Sequence, residues 1–299
     1  SASMRSLFSP IRPNKYVFIK LEGSILEEKP PMSIFNPFRG RTVTEFTQKI
    51  DKYSKRADLA GMVLYIQNPV AGPTGYHEIR RAVQRFRDTG KKVYVYMDGG
   101  GNMEYFLASA ADKVFMNPAG NLWLTGISAQ LLFVKDLLTK LGVEANFVRI
   151  GEYKSAPNMF TEDSTTEANA EQINAYLDEI YEMLTGEIAK ARHMNQDSLK
   201  ALIDQGPFVA QSALESGLID SVMYHDEFRE FITGNEKSSK YHLIAEKRYD
   251  RLDDWNYTWQ PPINNKIAVI YAVGQIVPGN SSQSPLTGSV NMGSETIAR

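Results

Sequence analysis

Short apolar segments that resemble buried strands alternate along this sequence with longer segments of helical periodicity. The apolar segments include residues 16–21, 61–66, 92–97 and 113–116. Each is apolar through most of its length, which is typical of a parallel sheet whose two faces are covered by helices. The sequence therefore predicts an α/β fold with a mostly parallel sheet and long helices.

Functional side chains in such a fold gather in the loops that follow the strands. Three loops qualify, at residues 68–73, 98–102 and 151–157, and the third follows an apolar strand that we predict at 145–150. None of the four histidines lies in these loops. A Ser-His-Asp triad is therefore disfavoured, and a lysine base with a serine nucleophile remains.

Lys154 is the lysine of the third loop. It lies between Gly151 and Pro157, so no helix runs through it. If its surroundings are apolar, the amine gives up its proton more readily and can act as a general base. The competing interpretation is a solvated loop lysine, because most lysines lie on the surface.

The composition excludes several classes of protein. There is no cysteine, which removes disulfides, thiol catalysis and cysteine-ligated zinc, and the histidines have no ligand-pair spacing. The net charge of −2 gives no argument for a nucleic-acid partner. The glycine-rich bend at 98–102 completes no nucleotide-binding motif, so we predict neither a cofactor nor a metal. No apolar run reaches the roughly 20 residues of a membrane-spanning helix.

The second half of the sequence is predicted to be rich in helices. We predict one helix within 126–141 and a long one that begins with a capping box at Ser164 and Glu167. Apolar residues from Ile173 to Ile188 form a stripe on the long helix, which we expect to pack on the core and which a partner subunit could share. An earlier helix carries four arginines that we interpret as a solvated face: Arg80, Arg81, Arg85 and Arg87.

Two distant segments of the sequence resemble each other. Residues 267–276 are similar to residues 17–25, and Gly274 corresponds to Gly23 with an offset of 274 − 23 = 251. A helix start at Ser294 follows the second segment, as one follows the first. The alternative is a chance similarity between two strands. A true repeat predicts a first domain at 15–235, a connection at 236–262 and the start of an incomplete second repeat at 263–299.

Several motifs together resemble the signal peptide peptidase A family of serine proteases. They are Gly151-x-Tyr153-Lys154-Ser155-Ala156, Ala110-Ala111-Asp112-Lys113-Val114 and Glu215-Ser216-Gly217-Leu218-Ile219-Asp220. The likeness covers about residues 15–235 and resumes at 267–299. It implies a crotonase- or ClpP-like fold of repeated β-β-α units. It also implies a Ser-Lys dyad that degrades cleaved signal peptides and other unfolded peptides.

The resemblance also assigns roles within the site. It implies that Lys154 is the general base. The serine of the family's nucleophile motif falls on Asn102, so that position has no nucleophile. Long bacterial members of the family are tandem repeats that take the serine from the second copy, and the loss is expected in the first copy of such a protein. The family's oxyanion loop corresponds to residues 68–72, where its paired glycines are lost. We therefore expect the nucleophile to lie outside this chain and the chain alone to be inactive.

The resemblance implies a location and an assembly as well. It implies a bacterial inner-membrane protein with its soluble part on the periplasmic side, held by an N-terminal anchor that this sequence lacks. The implied partners are the second-half domain and copies of the chain, in a tetramer. Two alternatives stay open, namely an assembly scaffold without activity and an acyl-CoA enzyme of the crotonase type. Such an enzyme usually needs a carboxylate base, and Glu104 is the acid that we place near the glycine bend for that role.

Overall fold

The computed structural model describes residues 13–29, 40–234, 241–253, 274–283 and 290–298. The chain forms two compact units. The first comprises Ser1–Trp123 and Pro207–Arg299, and the second comprises Leu124–Gly206.

All described strands belong to the first unit. In chain order they are β1 Lys15–Leu26, β2 Arg41–Thr42, β3 Leu59–Val70, β4 Lys92–Met97, β5 Gly100–Gly101, β6 Lys113–Met116, β7 Asn121–Trp123, β8 Phe208–Val209, β9 Ser221–Val222, β10 His242–Ala245, β11 Gln275–Val277, β12 Ser282–Gln283 and β13 Val290–Gly293.

The described helices divide between the two units. Those of the first unit are α1 Val43–Ser54, α2 Pro73–Asp88 and α3 Asn102–Ala108, and later α8 Ala210–Glu215, α9 His225–Thr233, α10 Glu246–Asp253 and α11 Ser294–Ile297. Those of the second unit are α4 Lys135–Lys140, α5 Asn158–Thr161, α6 Glu167–Arg192 and α7 Gln196–Ile203.

The main sheet has the strand order β10-β1-β3-β4-β6-β9, and each of these neighbouring pairs is parallel. Consecutive residues Met62, Val63 and Leu64 of β3 are fully buried, although their side chains alternate between the two faces. Both faces of this strand are therefore covered, and the predicted α/β fold with a mostly parallel sheet is confirmed. The order β4–β5–α3 forms one strand–strand–helix unit of the predicted kind.

Local sequence explains where α1 begins. The Thr42 hydroxyl accepts a hydrogen bond from the Glu45 N–H at 3.1 Å, and the Glu45 carboxylate accepts one from the Thr42 N–H at 3.1 Å. This reciprocal capping box satisfies two N–H groups that a helix start leaves unpaired. Phe46, Ile50 and Tyr53 then turn their side chains into the core, as their helical spacing predicts.

Strand β3 extends further than its sequence indicates. The predicted loop at 68–73 is wrong over its first three residues, which continue the strand as far as Val70. Glu22 pairs with Gln67 and Gly23 pairs with Pro69, so Asn68 is an extra residue in a bulge. Its φ of 45° is left-handed, a conformation that asparagine tolerates better than most residues. The loop proper is only Ala71 and Gly72.

The predicted connection at 236–262 contains regular structure where it is described. Strand β10 pairs in parallel with β1, so that it forms one edge of the main sheet. Helix α10 follows, and its Glu246, which is 5% exposed, accepts two hydrogen bonds from Arg41 and one from Lys49. These residues are therefore part of the first unit, whereas the wider division into domains stays a prediction.

The small sheet of β11, β12 and β13 repeats the strand pairing that β1 makes with β2. Ile25 pairs with Arg41 in parallel, and Ile276 pairs with Met292 in parallel, with the same offset of 276 − 25 = 292 − 41 = 251. A helix begins two residues later in each case, α1 and α11. The start of the predicted repeat, residues 263–273, lies outside the described residues. The shared register supports the repeat.

The second unit departs most from what the sequence predicts. No strand forms at 145–150, where Val148 and Ile150 are 103% and 89% exposed. An apolar run becomes a strand only where another strand pairs with its backbone, and the described residues of this unit contain no strand. The helix predicted within 126–141 is reduced to the six residues of α4.

Helix α6 begins two residues later than predicted. Its N-cap is Thr166, whose hydroxyl accepts a hydrogen bond from the Asn169 N–H at 3.3 Å, so the capping box at Ser164 is wrong. The apolar stripe is buried at Leu184 and Ile188, whereas Tyr176 is 61% exposed. The expectation that this stripe packs on the core therefore holds only towards the end of the helix.

Candidate functional site

Two of the three predicted site loops meet at the carboxyl ends of the main-sheet strands. Tyr76, on α2, joins them, because its hydroxyl lies 2.6 Å from the Pro69 carbonyl oxygen and 2.7 Å from Glu104 Oε1. Burial and the Glu104 carboxylate raise the pKa of Tyr76, so it stays a protonated donor. The bulged end of β3 and the glycine bend are thereby held side by side.

Asn102 is the first residue of α3, directly after the glycine bend. The bend is tightly packed, since a Cβ on Gly100 would lie 2.8 Å from Met97 Cε and from Glu104 Cβ. Strand, tight bend and helix start are the setting in which a nucleophile is commonly presented. The predicted site of the vacated serine therefore has a suitable backbone, although its assignment to Asn102 stays a prediction.

Glu104 is engaged in structural hydrogen bonds. Its Oε2 accepts a hydrogen bond from the Gly101 N–H at 3.0 Å, and its Oε1 accepts one from the Tyr76 hydroxyl. Both carboxylate oxygens are thus occupied in fixing the start of α3. This arrangement gives no support to Glu104 as the base of an acyl-CoA enzyme.

Asp98 is the centre of a polar cluster that the sequence did not reveal. It accepts hydrogen bonds from Tyr65 at 2.5 Å, Gln67 at 3.1 Å and Asn117 at 3.4 Å. Burial acts to raise the pKa of Asp98, but these donors outweigh it and hold the pKa below the ordinary value. Burial and the Asp98 carboxylate in turn raise the pKa of Tyr65 to about 12. An ionised carboxylate is therefore fixed where the strands end.

His225 lies beside this cluster although it is remote in sequence. Its ring stacks on Tyr65 with centroids 5.3 Å apart, and it meets Tyr96 edge-on at 5.3 Å. Burial first, and then the charge of Arg229, lower the pKa of His225. The prediction that no histidine lies in the three site loops is correct. The sequence did not reveal, however, that the start of α9 brings His225 to the same edge of the sheet.

Lys154 lies in the second unit, in the turn after Gly151. Gly151 has a φ of 91°, as the predicted turn requires, and the Lys154 N–H bonds to the Gly151 carbonyl at 3.4 Å. The side chain is exposed, and no strand precedes it. Asn102 belongs to the first unit, so the two residues that the sequence singled out lie in different units. The role of Lys154 stays a prediction.

Several hydrogen bonds connect the residues around Lys154. Tyr153 donates to Glu171 at 2.8 Å, which ties the turn to α6. Arg149 donates to Asn158 Oδ1 at 2.5 Å, and Asn158 Nδ2 donates to the hydroxyl of Thr166, the N-cap of α6. These bonds fix the backbone on either side of Lys154 while leaving its side chain in solvent.

No helix in the described part of the chain combines the length and the apolar character needed to cross a membrane.

Comparisons with known proteins give one family and several relatives. Residues 85–237 match the model of peptidase family S49. The chain is 28% identical over 269 residues to the chloroplastic serine protease SPPA of Arabidopsis thaliana, covering 89% of this chain and 39% of the relative. It is 31% identical over 238 residues to Protease 4 of Haemophilus influenzae, covering 73% of this chain and 36% of the relative.

A solved structure from Pyrococcus horikoshii, the 1510-N membrane protease specific for a stomatin homolog, is similar with a TM-score of 0.41. The match has 10% identity and covers 81% of this chain and 98% of that one.

The chain spans 36–39% of the length of the Haemophilus and Arabidopsis relatives.

Proposed function

The chain belongs to peptidase family S49, the signal peptide peptidase A family, and from this premise we propose that it is the lysine-donating part of a Ser-Lys dyad protease. Lys154 is the general base of this proposal. The nucleophilic serine comes from a second copy of the first domain, at a position beyond Arg299. The substrates are cleaved signal peptides and other unfolded peptides.

The observation that carries the proposal is the repeat in strand register at an offset of 251 residues. Two parallel strand pairs of the same spacing, each followed by a helix, support a tandem architecture. The share of the relatives that the chain covers agrees with a longer protein. A tandem protein can divide its catalytic residues between copies, which accounts for Asn102 at the serine position of the first copy.

The chemistry requires a neutral Lys154. The amine removes the proton from the serine hydroxyl, and the serine oxygen attacks the carbonyl carbon of the peptide. Backbone N–H groups stabilise the oxyanion that forms. The carbon–nitrogen bond then breaks, the leaving amine takes the proton from the lysine, and water hydrolyses the acyl-enzyme. An ammonium group in solvent cannot begin this sequence, so the second copy has to cover Lys154 and exclude water.

The proposal extends to location and assembly. We propose that the protein lies at the bacterial inner membrane with its catalytic part on the periplasmic side, and that it assembles as a tetramer. The exposed part of the apolar stripe on α6, around Tyr176, supports assembly with another protein surface.

The test replaces Lys154 in the full-length protein that carries this sequence. We expect Lys154→Ala to lower kcat for a fluorogenic signal-peptide substrate by about 10²–10⁴, the usual contribution of a general base. Lys154→Arg does not restore activity, because the guanidinium stays protonated. Circular dichroism and the melting temperature should not change, since the side chain is exposed.

Lys140→Ala is the matched control, because Lys140 is also an exposed lysine of the second unit. It should leave kcat unchanged. Full activity in a correctly folded Lys154→Ala protein would refute the assignment of the base.

A further inference from the structure

A small pocket on the first unit combines two arginines with an apolar floor. Its volume is about 240 Å³. It lies where α9, α10 and the edge strand β10 come together, and its His225 stacks on Tyr65 of the Asp98 cluster. The lining residues are Phe18, His225, Arg229, Leu243, Ile244, Ala245 and Arg248. No acidic side chain belongs to this lining, although Asp226 and Glu227 lie on the same turn of α9 as His225.

Neither arginine of the pocket forms an ion pair among the described residues, although the carboxylates of Asp98 and Asp226 lie near enough to act on His225. The side chains of Arg229 and Arg248 form no hydrogen bond and no ion pair with any described residue, unlike those of Arg41 and Arg85, which pair with acids. Two guanidinium groups beside one cavity repel each other unless an anion lies between them. The planar donor fork of arginine fits a carboxylate particularly well.

His225 adds a polar atom that lacks a partner. Its Nε2 is buried without a hydrogen bond to any described residue. A buried polar atom without a partner destabilises the folded state. The ring is held in place by Phe18, Tyr65 and Tyr96, with centroids 5.3–6.0 Å apart.

The rest of the lining indicates what is attached to the anion. Leu243, Ile244 and Ala245 are the last residues of β10, and no described strand pairs with the outer side of β10. An edge strand of this kind offers backbone N–H and C=O groups to an extended chain. Drug-sized ligands occupy roughly 300–1,000 Å³, so this smaller pocket has room for one residue.

We propose that this pocket binds the C-terminal carboxylate of a peptide whose last residue is apolar. The carboxylate lies between Arg229 and Arg248, and the last side chain lies on Phe18 and Leu243. The proposal does not depend on the dyad at Lys154, because every residue that it uses belongs to the first unit.

The test measures binding of short peptides to the purified chain by two-dimensional NMR titration. The probes are acetyl-Ala-Ala-Leu with a free carboxylate, the same peptide as its C-terminal amide, and octanoate. We expect the acid to shift resonances of β10 and α9 and to bind at least about tenfold more tightly than the amide, a factor that corresponds to about 1.4 kcal/mol. Octanoate should bind more weakly than the peptide acid, because it has no backbone for β10.

The variant Arg229→Gln/Arg248→Gln should abolish the preference for the acid over the amide. Its melting temperature should stay that of the parent, because both arginines are exposed and have no partner among the described residues. Arg81→Gln is the control, since Arg81 is a comparably exposed arginine on α2. Lys154→Ala should bind the peptide unchanged, which separates this proposal from the dyad.

Three outcomes would overturn the proposal. Equal affinity for acid and amide would remove the role of the carboxylate. An unchanged preference in the double variant would place the binding elsewhere. Tighter binding of octanoate than of the peptide acid would assign the pocket to a fatty acid instead.

Discussion

Arg80 is almost wholly buried between α2 and α3, at 1% exposure. Its Nη1 donates hydrogen bonds to the Phe106 carbonyl and, at 2.8 Å, to the Ser109 hydroxyl, and its guanidinium lies 4.6 Å from the centre of the Phe106 ring. The side chain thus joins the end of α3 to α2 by direct bonds and by stacking. It behaves as a core residue that carries a charge.

Replacing Arg80 tests this structural role. We expect Arg80→Met to lower the free energy of unfolding by about 1–3 kcal/mol, because it keeps the apolar volume but removes the charged donor from the buried Phe106 carbonyl and Ser109 hydroxyl, which then keep only their bond to each other. Arg81→Met, one residue further on and 59% exposed, should change it by less than about 0.5 kcal/mol. Urea denaturation of both variants measures the difference. Equal effects would contradict the burial of Arg80.

The different burial of Arg80 and Arg81 shows what sequence can and cannot predict for single residues. Helical periodicity correctly placed Ile79, Val83 and Phe86 on the buried face of α2. It also places Arg80 beside Ile79, but composition favours a solvated arginine. Only the Phe106 carbonyl and the Ser109 hydroxyl, 26 and 29 residues away, explain why Arg80 is buried. The same limit applies to His225, whose neighbours come from three different strands.

Asp58 connects three elements at one end of the main sheet. It accepts hydrogen bonds from Lys15 of β1 at 2.9 Å, from Arg56 at 3.3 Å and from Tyr249 of α10 at 2.8 Å. Burial acts to raise the pKa of Asp58, but the bonds from Lys15 and Tyr249 outweigh it and lower the pKa. The carboxylate therefore stabilises the fold while it is ionised.

A lowered pKa fixes the sign of the pH dependence. The stability that Asp58 contributes is fully present above the unfolded-state pKa of about 3.9 and is lost as the pH falls through the lower folded-state value. We expect the free energy of unfolding to fall between pH 5 and pH 3, and Asp58→Asn to remove about 1 kcal/mol of that fall.

The measurement is urea denaturation at several pH values. Asp88→Asn, at an exposed acid on α2, is the control and should leave the slope unchanged. A slope that is identical in Asp58→Asn and the parent protein would show that Asp58 does not carry this dependence.

Helices and strands could be predicted from sequence where the local pattern of apolar and polar residues is sufficient to define them. Strands β4 and β6 have the predicted bounds, because each is a continuous apolar run between polar turns. The run at 145–150 also contains Phe147, Val148 and Ile150 but forms no strand, since pairing depends on a neighbour that no local pattern reveals. Strand β10 shows the reverse, because a short segment of four residues becomes a strand through β1.

At the scale of the whole molecule, the small sheet formed by β11, β12 and β13 is separate from the main sheet. None of its strands pairs with a strand of the main sheet among the described residues. The described strands of the main sheet all lie within residues 15–245, and α10, which packs beside β1 and β10, ends at Asp253. The register at an offset of 251 residues explains this division, if the small sheet belongs to a second copy with a core of its own.

Removing residues 254–299 tests that division. We expect the shortened chain to keep a cooperative thermal transition and a melting temperature within about 4 °C of the parent, which for a chain of this size corresponds to about 2 kcal/mol. A second truncation, after Gly234, also removes β10 and α10. It should lower the melting temperature much further, because it breaks the pairing with β1 and the buried ion pairs of Glu246.

Scanning calorimetry and near-ultraviolet circular dichroism of the three proteins distinguish the possibilities. If the shorter truncation alone destroys cooperative unfolding, residues 274–298 belong to the first core and the register match is a coincidence. If only the longer truncation does so, the first copy ends near Asp253, some 18 residues later than the sequence placed it (253 − 235). A domain of that extent contains its own sheet and both candidate site residues. It would then lack only the nucleophile that the proposed second copy supplies.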